Sequence, residues 1–552
     1  MSLFKTQIAI ACLSVFILSC SSPSGSDLSP EEQAAFDQAR TNGQLVNEGL
    51  ERCKNLVRDW LKEADPTTGL IPRNLTDSRD FWNAKDAAAD NYPFMVLTAA
   101  LTDQELFEGR MKEMLKNETT LTSRVDRLPD TYSFSKKDFQ NPEVDMDDIL
   151  FGSSEYIKDG LLPLTEWLGE SPWSDRMIGI LDDMWNHAPI DTKYGKIVST
   201  NVELNGEMLQ ALSRIYWMTG EDKYLEWAIR LGDYYLLDDQ HPTQNFKELR
   251  LRDHGCEVVS GLCELYATVS YARPEKKGEY LTPIHQMLDR ILEVGRNEDG
   301  LFYNVVSPQT GEILNEGIAD NFGYNLNGIY TVYQLDSRQA YKDATIKALS
   351  TLNTSYRNFD WERGSADGYA DAIEGALNLY NREPVESAAK WVDSEIQVMW
   401  SMQDSSHRPN TGKWMNTGII EGWHGDGNFA RTTIMYCFWK TQGMTVHPWR
   451  ADLEPGVVKI EDAYAISLTT KDTWTGKLKF DTKRHQNILK LPFDWPRINQ
   501  FPEWFTADPG SKYELINVSL GESSFYTGNE LINGIDVQLK DGTHQWLLKV
   551  AG

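Results

Sequence analysis

Recurring helical periodicity from about Pro30 to about Gly443 is the feature that most restricts the fold of this chain. Apolar residues return every three or four positions, and loops rich in Gly, Pro and Asn interrupt them. The helical segments come in pairs, and each pair spans roughly fifty to sixty residues, the spacing of stacked helical hairpins. We therefore predict a mainly α fold with an (α/α) toroid of about six helical hairpins over residues 41–445.

Polar clusters mark the starts of several of these predicted helices. They occur at residues 90–92, 201–207, 252–255, 320–324, 367–371 and 423–428. Helix capping accounts for Asp and Asn at such positions, but it does not account for the His, Tyr, Trp and Arg residues beside them. If the first helices of the pairs form an inner ring, their N-termini open on one end of a central cavity, where we expect the functional site.

The character of the sequence changes after about Pro448. Short alternating or β-branched runs follow, separated by Asp, Gly and Pro turns, at residues 463–470, 477–480, 513–518, 533–539 and 545–550. We predict a small β-sandwich over residues 446–552 that packs on the toroid.

The N-terminus has the pattern of an export signal. Lys5 precedes an apolar stretch, residues 8–18, that is too short to span a bilayer. The stretch ends in Ile-Leu-Ser-Cys at residues 17–20, which resembles the lipobox of bacterial lipoproteins, with its leucine one place later than usual. We therefore predict a signal peptide at residues 1–20, lipid on Cys20 and a flexible tether at residues 21–40. The resemblance implies membrane anchoring. We expect anchoring in the outer membrane. Because no acidic run follows Cys20, we expect the protein to face the periplasm rather than the cell surface.

The formal net charge of -28 argues against nucleic acid as a partner, because phosphate binding needs clustered Lys and Arg. The cysteines left after Cys20 show neither a zinc spacing nor a dense disulfide framework, so both one or two disulfides and four buried thiols stay open. Asp145, Asp147 and Asp148 lack the glycine and terminal glutamate of a calcium loop. We therefore expect no metal and no cofactor.

Four residues in or beside the polar clusters are candidates for catalysis. His254 and His424 can transfer protons near neutral pH, and the neighbours Arg252 and Asp253 would tune His254. Tyr324 can donate or accept a proton at a sugar carbon, and Asp320 supplies a carboxylate. Each of these residues also has a purely structural explanation as a capping or packing side chain.

A second group of residues is predicted to bind substrate. Arginine matches planar oxyanions with two parallel hydrogen bonds, tryptophan stacks on sugar rings, and Asp, Asn and Tyr at helix starts offer further polar contacts. The predicted binding residues are Asp90, Asn91, Tyr92, Arg252, Asp367, Asp371, Trp423 and Arg431. Arg363, Trp361 and Trp414 are weaker candidates of the same kind.

The layout resembles the six-hairpin (α/α) toroids of carbohydrate-active enzymes. The resemblance covers roughly residues 40–445 and rests on the hairpins, the polar helix starts and the 18 tryptophans of the chain. With Arg-Asp-His-Gly-Cys-Glu at residues 252–257, the layout is most similar to the ulvan-oligosaccharide dehydratases of marine Bacteroidetes.

This resemblance implies degradation of an anionic, ulvan-type polysaccharide by eliminating water at the terminal uronic acid of its oligosaccharides. Alternatives are a glycoside hydrolase of the glucuronidase or unsaturated glucuronyl hydrolase type, and a polysaccharide lyase. A sugar-binding lipoprotein without catalytic activity is a further alternative.

Overall fold

Helices alternate between two concentric layers over most of the chain. The computed structural model describes residues 28–404, 418–422 and 426–551. Its helices are α1 Pro30–Glu63, α2 Tyr92–Thr102, α3 Gln104–Leu106, α4 Lys112–Thr122, α5 Met146–Glu155, α6 Leu162–Leu168, α7 Pro172–Asn186, α8 Val202–Thr219, α9 Asp222–Leu236, α10 Cys256–Ala272, α11 Pro274–Val294, α12 Phe322–Asp336, α13 Gln339–Ser355, α14 Ala366–Arg382, α15 Glu386–Ser401, α16 Asp426–Thr441, α17 Arg484–Asn487 and α18 Gly528–Asn533. A short 3₁₀ turn, Trp361–Arg363, precedes α14.

Three π-helical segments extend or join the α-helices of the toroid. Ala84–Asn91 leads into α2, Phe107–Met111 joins α3 to α4, and Tyr156–Leu161 joins α5 to α6. The residues 84–102, 104–122 and 146–168 therefore each form one helix of the toroid. π-Helical turns often lie at functional sites.

The inner layer of the described chain contains seven helices, where the sequence predicts about six hairpins. α2 with its π-helical start, α5–α6, α8, α10, α12, α14 and α16 follow one another around the ring, and α16 returns to α2. α1, α3–α4, α7, α9, α11, α13 and α15 pack outside them. The mainly α prediction is confirmed, and the hairpin count is corrected. The periodicity missed α2 and α16 because both are buried on nearly every face and carry no amphipathic stripe.

The predicted tether at residues 21–40 is wrong from Pro30 onward, where α1 begins. Ser29 caps the helix, because its hydroxyl accepts from the amide of Glu32 while the Glu32 carboxylate accepts from the amide of Ser29. Ala35, Phe36 and Ala39 are buried against the C-terminal strands. The polar residues between these three hide the apolar stripe in the sequence.

Short strands connect the helices, and longer strands form the C-terminal part. The connecting strands are β1 Phe81–Trp82, β2 Ser123–Val125, β3 Leu128–Pro129, β4 Tyr132–Ser133, β5 Asp138–Phe139, β6 Ile190–Thr192, β7 Gly195–Ile197, β8 Leu249–Arg250, β9 Tyr303–Val306 and β10 Ile313–Ile318. The C-terminal strands are β11 Thr445–His447, β12 Glu454–Ile460, β13 Ala463–Thr470, β14 Trp474–Lys479, β15 Lys512–Asn517, β16 Glu522–Thr527, β17 Ile535–Leu539 and β18 Gly542–Val550.

Two antiparallel sheets in the C-terminal part share one apolar core. The order is β11-β14-β17 in the first sheet and β12-β13-β18-β15-β16 in the second. Leu478 and Ile535 of the first sheet pack in the same cluster as Ile466, Leu515 and Leu548 of the second. The first half of α1 lies against β12, where Asn42 Nδ2 donates to the carbonyl of Val457 at 3.1 Å. One long helix therefore ties the two parts together.

The segment 480–511, between β14 and β15, leaves the sheets and returns to the toroid. Arg497 forms an ion pair with Glu166 at 2.7 Å, and Trp495 Nε1 donates to Glu264 at 3.0 Å. Arg214 Nη1 donates to the carbonyl of Ile498 at 3.2 Å. We call residues 494–501 the plug, because they enter the ring of inner helices.

The structure has four free, buried thiols, at Cys53, Cys256, Cys263 and Cys437. It therefore corresponds to the alternative of four buried thiols and not to that of one or two disulfides. Within the described residues, no helix combines the length and apolar character that a membrane span requires. The predicted signal peptide and Cys20 lie outside the described residues.

Candidate active site

A cavity of about 570 Å³ opens where the N-terminal ends of the inner helices meet. Its described lining contains twelve carboxyl side chains but only six Lys or Arg side chains. The lining residues are Arg73, Lys85, Asp86, Asp90, Phe151, Glu155, Lys158, Asp159, Glu203, Glu207, Arg250, Arg252, Asp253, His254, Glu257, Tyr324, Glu362, Ser365, Asp367, Asp371, Glu421, Asn428 and Arg431. The helix N-termini favour this excess of carboxylates, because their amides and dipoles attract negative charge.

His254 is held at the cavity wall between two carboxylates. It has a left-handed backbone, φ 66°, in the turn before α10, and the Asp253 amide donates to Asn321 Oδ1 at 2.9 Å. The imidazole hydrogen-bonds through Nδ1 to Glu203 of α8, and Nε2 lies 3.0 Å from Asp253 Oδ2. The bond with Glu203 raises the pKa of His254 to about 9. The imidazole is therefore charged at neutral pH and pairs with the Glu203 carboxylate.

Glu257 lies on the first turn of α10, next to Glu203 on the neighbouring inner helix. Only 2% of Glu257 is exposed, and Oε2 has no hydrogen-bond partner among the described residues. Burial raises the pKa of Glu257 to about 8, and the negative charges of Asp253 and Glu203 add to the rise against the lowering effect of Lys158. The site thus places a carboxyl with a raised pKa beside a carboxyl that is paired with a charged imidazole. Such a pair is what acid–base chemistry requires.

A second network connects α12, α14 and α16. Arg431 Nη2 donates to Asp371 Oδ1 at 2.6 Å and lies 3.2 Å from Glu374 Oε2. The Tyr324 hydroxyl donates to Glu374 at 2.9 Å. Burial raises the pKa of Glu374 to about 7 although Arg431 lowers it, and burial also raises the pKa of Tyr324. Because Tyr324 stays protonated, it is a proton donor here rather than a base.

Arg250 differs from the other cations of the cavity. Five of them form ion pairs: Arg73 with Asp86, Lys85 with Asp148, Lys158 with Asp159, Arg252 with Glu362, and Arg431 with Asp371. Arg250 forms no ion pair with any described residue, and its buried Nε has no hydrogen-bond partner there. It is the cavity cation that is available to a bound anion.

The plug closes the floor of the cavity through Asn499. Its amide donates to Glu374 Oε1 at 2.6 Å, its Oδ1 accepts from Arg431 at 2.8 Å, and its Nδ2 donates to Asp159 at 2.7 Å. One C-terminal residue thus contacts three inner helices. A chain that enters the cavity cannot pass through this floor.

Most of the predicted site residues meet at this cavity. His254, Tyr324, Arg252, Asp90, Asp367, Asp371 and Arg431 line it. Asn428 connects two of the inner helices there, because its Nδ2 donates to Asp367 Oδ1 at 2.8 Å and its Oδ1 accepts from Arg431 at 3.0 Å. His424, Trp423 and Trp414 lie outside the described residues.

Other predicted residues lie elsewhere. Tyr92 is a correction, because its hydroxyl donates to the carbonyl of Met111 at 2.7 Å and accepts from Trp173, which makes it part of the packing against the outer layer. Asn91 is fully buried and is not among the lining residues. Asp320 is buried behind the lining. Burial raises its pKa to about 8, and the charges of Asp371 and Glu362 add to the effect.

Among the weaker candidates for sugar binding, Trp361 is fully buried against Phe322 and Trp391. It therefore cannot stack on a sugar. Arg363 is exposed and is not among the lining residues.

Sequence reasoning missed several acidic groups and one cation. Glu203 and Glu207, four residues apart at the start of α8, were read only as part of a polar helix start. The i, i+4 spacing of the two glutamates was the available signal. Glu155 and Asp159 have the same spacing in the sequence, whereas Arg250 gave no comparable signal.

Comparisons with known proteins give distant structural similarity only. No protein-family model and no curated protein matches the sequence. An α-1,6-mannanase of Salegentibacter sp. HEL1_6 is similar at 12% identity, with 72% of this chain and 98% of that chain covered and a TM-score of 0.38. A glycoside hydrolase family 76 mannosidase of Bacteroides thetaiotaomicron has 13% identity, coverages of 72% and 99%, and a TM-score of 0.37.

An unsaturated glucuronyl hydrolase of Bacillus sp. GL1 has 11% identity, coverages of 53% and 86%, and a TM-score of 0.34. Similarities at this level identify neither a family nor a substrate.

Proposed function

We propose that this chain is a glycoside hydrolase that removes sugar residues from the end of an acidic oligosaccharide. One observation carries the proposal: Glu257, whose pKa burial raises to about 8, lines one cavity with Glu203 of the neighbouring inner helix, which is bonded to His254. Glycoside hydrolysis generally uses one carboxylic acid and one carboxylate on either side of the bond. The pair belongs to a cavity that the plug closes at its floor.

In this mechanism Glu257 is the general acid. Its proton passes to the glycosidic oxygen while the bond between that oxygen and the anomeric carbon breaks. Glu203, oriented by its bond to His254, takes a proton from the water that attacks the anomeric carbon. Proton exchange with solvent returns both groups to their starting states, and the net reaction adds one water.

The presence of Arg250 in the cavity favours an acidic sugar as the substrate. A guanidinium can form two parallel hydrogen bonds with a carboxylate or sulfate, and the described cavity residues leave Arg250 free to do so. In a cavity with twelve carboxyl groups, one unpaired arginine would place the anionic group at a defined position. The closed floor supports binding of a chain end rather than the middle of a chain.

The test is incubation with oligosaccharides that end in a uronic acid, followed by mass spectrometry. We expect products whose masses sum to the substrate plus one water. Glu257→Gln and Glu203→Gln should each lower kcat by about a hundredfold to ten-thousandfold, the usual contribution of a positioned acid or base. Activity of the unaltered protein should fall as the pH rises through about 8, where Glu257 loses its proton. Full activity in both variants would exclude this mechanism.

Elimination of water at the terminal uronic acid, as in the ulvan dehydratases, is the second candidate. The charged His254 favours it, because an imidazolium beside Arg250 and Arg252 can stabilise the negative charge that develops on the uronate. This reaction lowers the substrate mass by one water and creates a new double bond that absorbs in the ultraviolet. The same incubation therefore separates the two reactions.

We further propose that the protein works as a lipoprotein of the outer membrane, facing the periplasm. The motif at residues 17–20 and the apolar stretch before it support this location.

A further inference from the structure

A cluster of carboxylates lies on the cavity wall next to the proposed acid–base pair. Glu155 and Asp159 are one turn apart on the helix 146–168, and Glu207 faces them from α8. One carboxylate oxygen of each lies within 4.8 Å of those of the other two. Burial and the repulsion between carboxylates this close raise the pKa of Glu155 and Glu207. A cation between them would relieve that repulsion.

Glu207 is the member whose bonding is incomplete. Only 1% of its surface is exposed, and Oε2 has no hydrogen-bond partner among the described residues. Ser154 hydrogen-bonds to the same carboxylate, which leaves Oε2 as the unsatisfied atom. A buried carboxylate oxygen without a partner is costly, and a bound cation would remove that cost.

The protein cations near the cluster are already engaged. Lys158 lies 2.6 Å from Asp159 Oδ1, which also accepts from Asn499. His254 bonds to Glu203. One lysine therefore faces three carboxyl groups.

We propose that Glu155, Asp159 and Glu207 bind one divalent cation of the calcium class at the cavity wall. Calcium takes oxygen ligands at about 2.3 to 2.6 Å in flexible geometry, so ligand oxygens on opposite sides of the ion are about 5 Å apart. Three oxygens within 4.8 Å of one another can share one ion of this size. Magnesium dehydrates reluctantly and demands near-ideal octahedral geometry, so a partly buried site built from side chains of two helices favours calcium. The sequence alone predicts no metal here, because the ligands come from two helices about fifty residues apart.

A second cluster in the chain shows what a satisfied arrangement looks like. His485, Asp494 and Glu503 also place ligand atoms within 4.8 Å of one another. There, Asp494 pairs with Arg382 and Arg497 at 2.7 and 2.8 Å, and His485 bonds to Glu503 at 2.8 Å. Two arginines supply the positive charge. We infer no cation at this cluster, and Glu503 offers a matched control.

The experiment measures binding without any substrate. The full mature protein is treated with EDTA, dialysed into metal-free buffer and titrated with CaCl₂ by isothermal calorimetry, and the Tm is recorded with and without the ion. We expect one calcium per chain and a higher Tm, because an ion that binds only the folded state stabilises it. MgCl₂ under the same conditions should bind more weakly.

Variants identify the site. Glu207→Gln should weaken calcium binding by about a hundredfold, whereas Glu503→Gln should bind like the unaltered protein. If Glu207→Gln does not fold, as judged by circular dichroism, Glu155→Gln at the more exposed edge of the cluster provides the same test. Absence of binding at millimolar calcium would overturn the proposal, and so would full affinity in a folded Glu207→Gln or Glu155→Gln. Because activity is not the readout, either result leaves the proposed hydrolysis to its own test.

Discussion

At the residue scale, Arg250 is the side chain on which substrate charge should depend. Arg250→Gln removes the unpaired cation from the cavity, so we expect the KM for a uronic acid oligosaccharide to rise about tenfold to a hundredfold, the worth of a hydrogen bond to a charged group. Arg363→Gln is the control, because Arg363 is exposed and is not among the lining residues. An equal KM increase on a carboxyl-reduced, neutral substrate would show that Arg250 does not bind the anionic group.

Asp320 is a single buried carboxyl that should make the stability of the protein depend on pH. Its pKa, about 8 in the folded chain, exceeds the ordinary value of about 3.9 in the unfolded chain. The stability it contributes is therefore fully present below pH 4 and is lost as the pH rises through 8.

In Asp320→Asn this loss should disappear. The Tm of the variant, relative to the unaltered protein, should then be higher at pH 8.5 than at pH 5. Tm values across this range at constant ionic strength measure the effect. Parallel pH profiles for the two proteins would contradict the prediction.

At the element scale, the contact between α8 and α10 determines where the proposed acid lies. A Cβ at Gly206 would overlap the backbone of Glu257 and Val258, so the two inner helices approach closely only because this residue is glycine. Gly206→Ala should therefore separate the helices, lower the Tm and reduce activity together. Gly278→Ala on α11 is the matched control. A Cβ there meets no atom within 4 Å, and alanine should stabilise an exposed helix by about 0.5 to 1 kcal/mol.

The outer and inner helices differ in how well sequence periodicity predicts them. The outer helices α7 and α9 have one buried face and one exposed face, and the periodicity places them within a few residues. α2 and α16 lack an exposed face, so only the polar residues near their starts indicate them. The inner ring is consequently the part of the toroid that periodicity describes least well.

At the scale of the whole molecule, the proposed lipid anchor on Cys20 would determine where the protein is found. Cys20→Ser should move the protein from the membrane fraction to the soluble fraction, because thioether attachment of lipid requires the thiol. Cys12→Ser, within the apolar stretch, should leave fractionation unchanged. Fractionation followed by immunoblotting measures the result, and membrane association that survives in Cys20→Ser would reject the anchor.

The C-terminal part also acts at this scale, because it completes the cavity rather than only packing beside the toroid. Asn499 contacts Asp159, Glu374 and Arg431 from below, and Arg497 fixes the plug to Glu166. The predicted boundary near residue 446 stays a prediction, and that residue lies within β11. It does not indicate that part of the following chain returns to the ring.

The sequence by itself determined the helical body, the strand-rich tail and the position of the site at the helix starts. These follow from local patterns, since periodicity and capping act over a few residues. Tertiary structure decided the number of hairpins, the exclusion of Tyr92, and the meeting of Glu155, Asp159, Glu203, Glu207 and Glu257. It also decided which carboxyls stay protonated, because burial and neighbouring charges set that state and both come from residues distant in the chain.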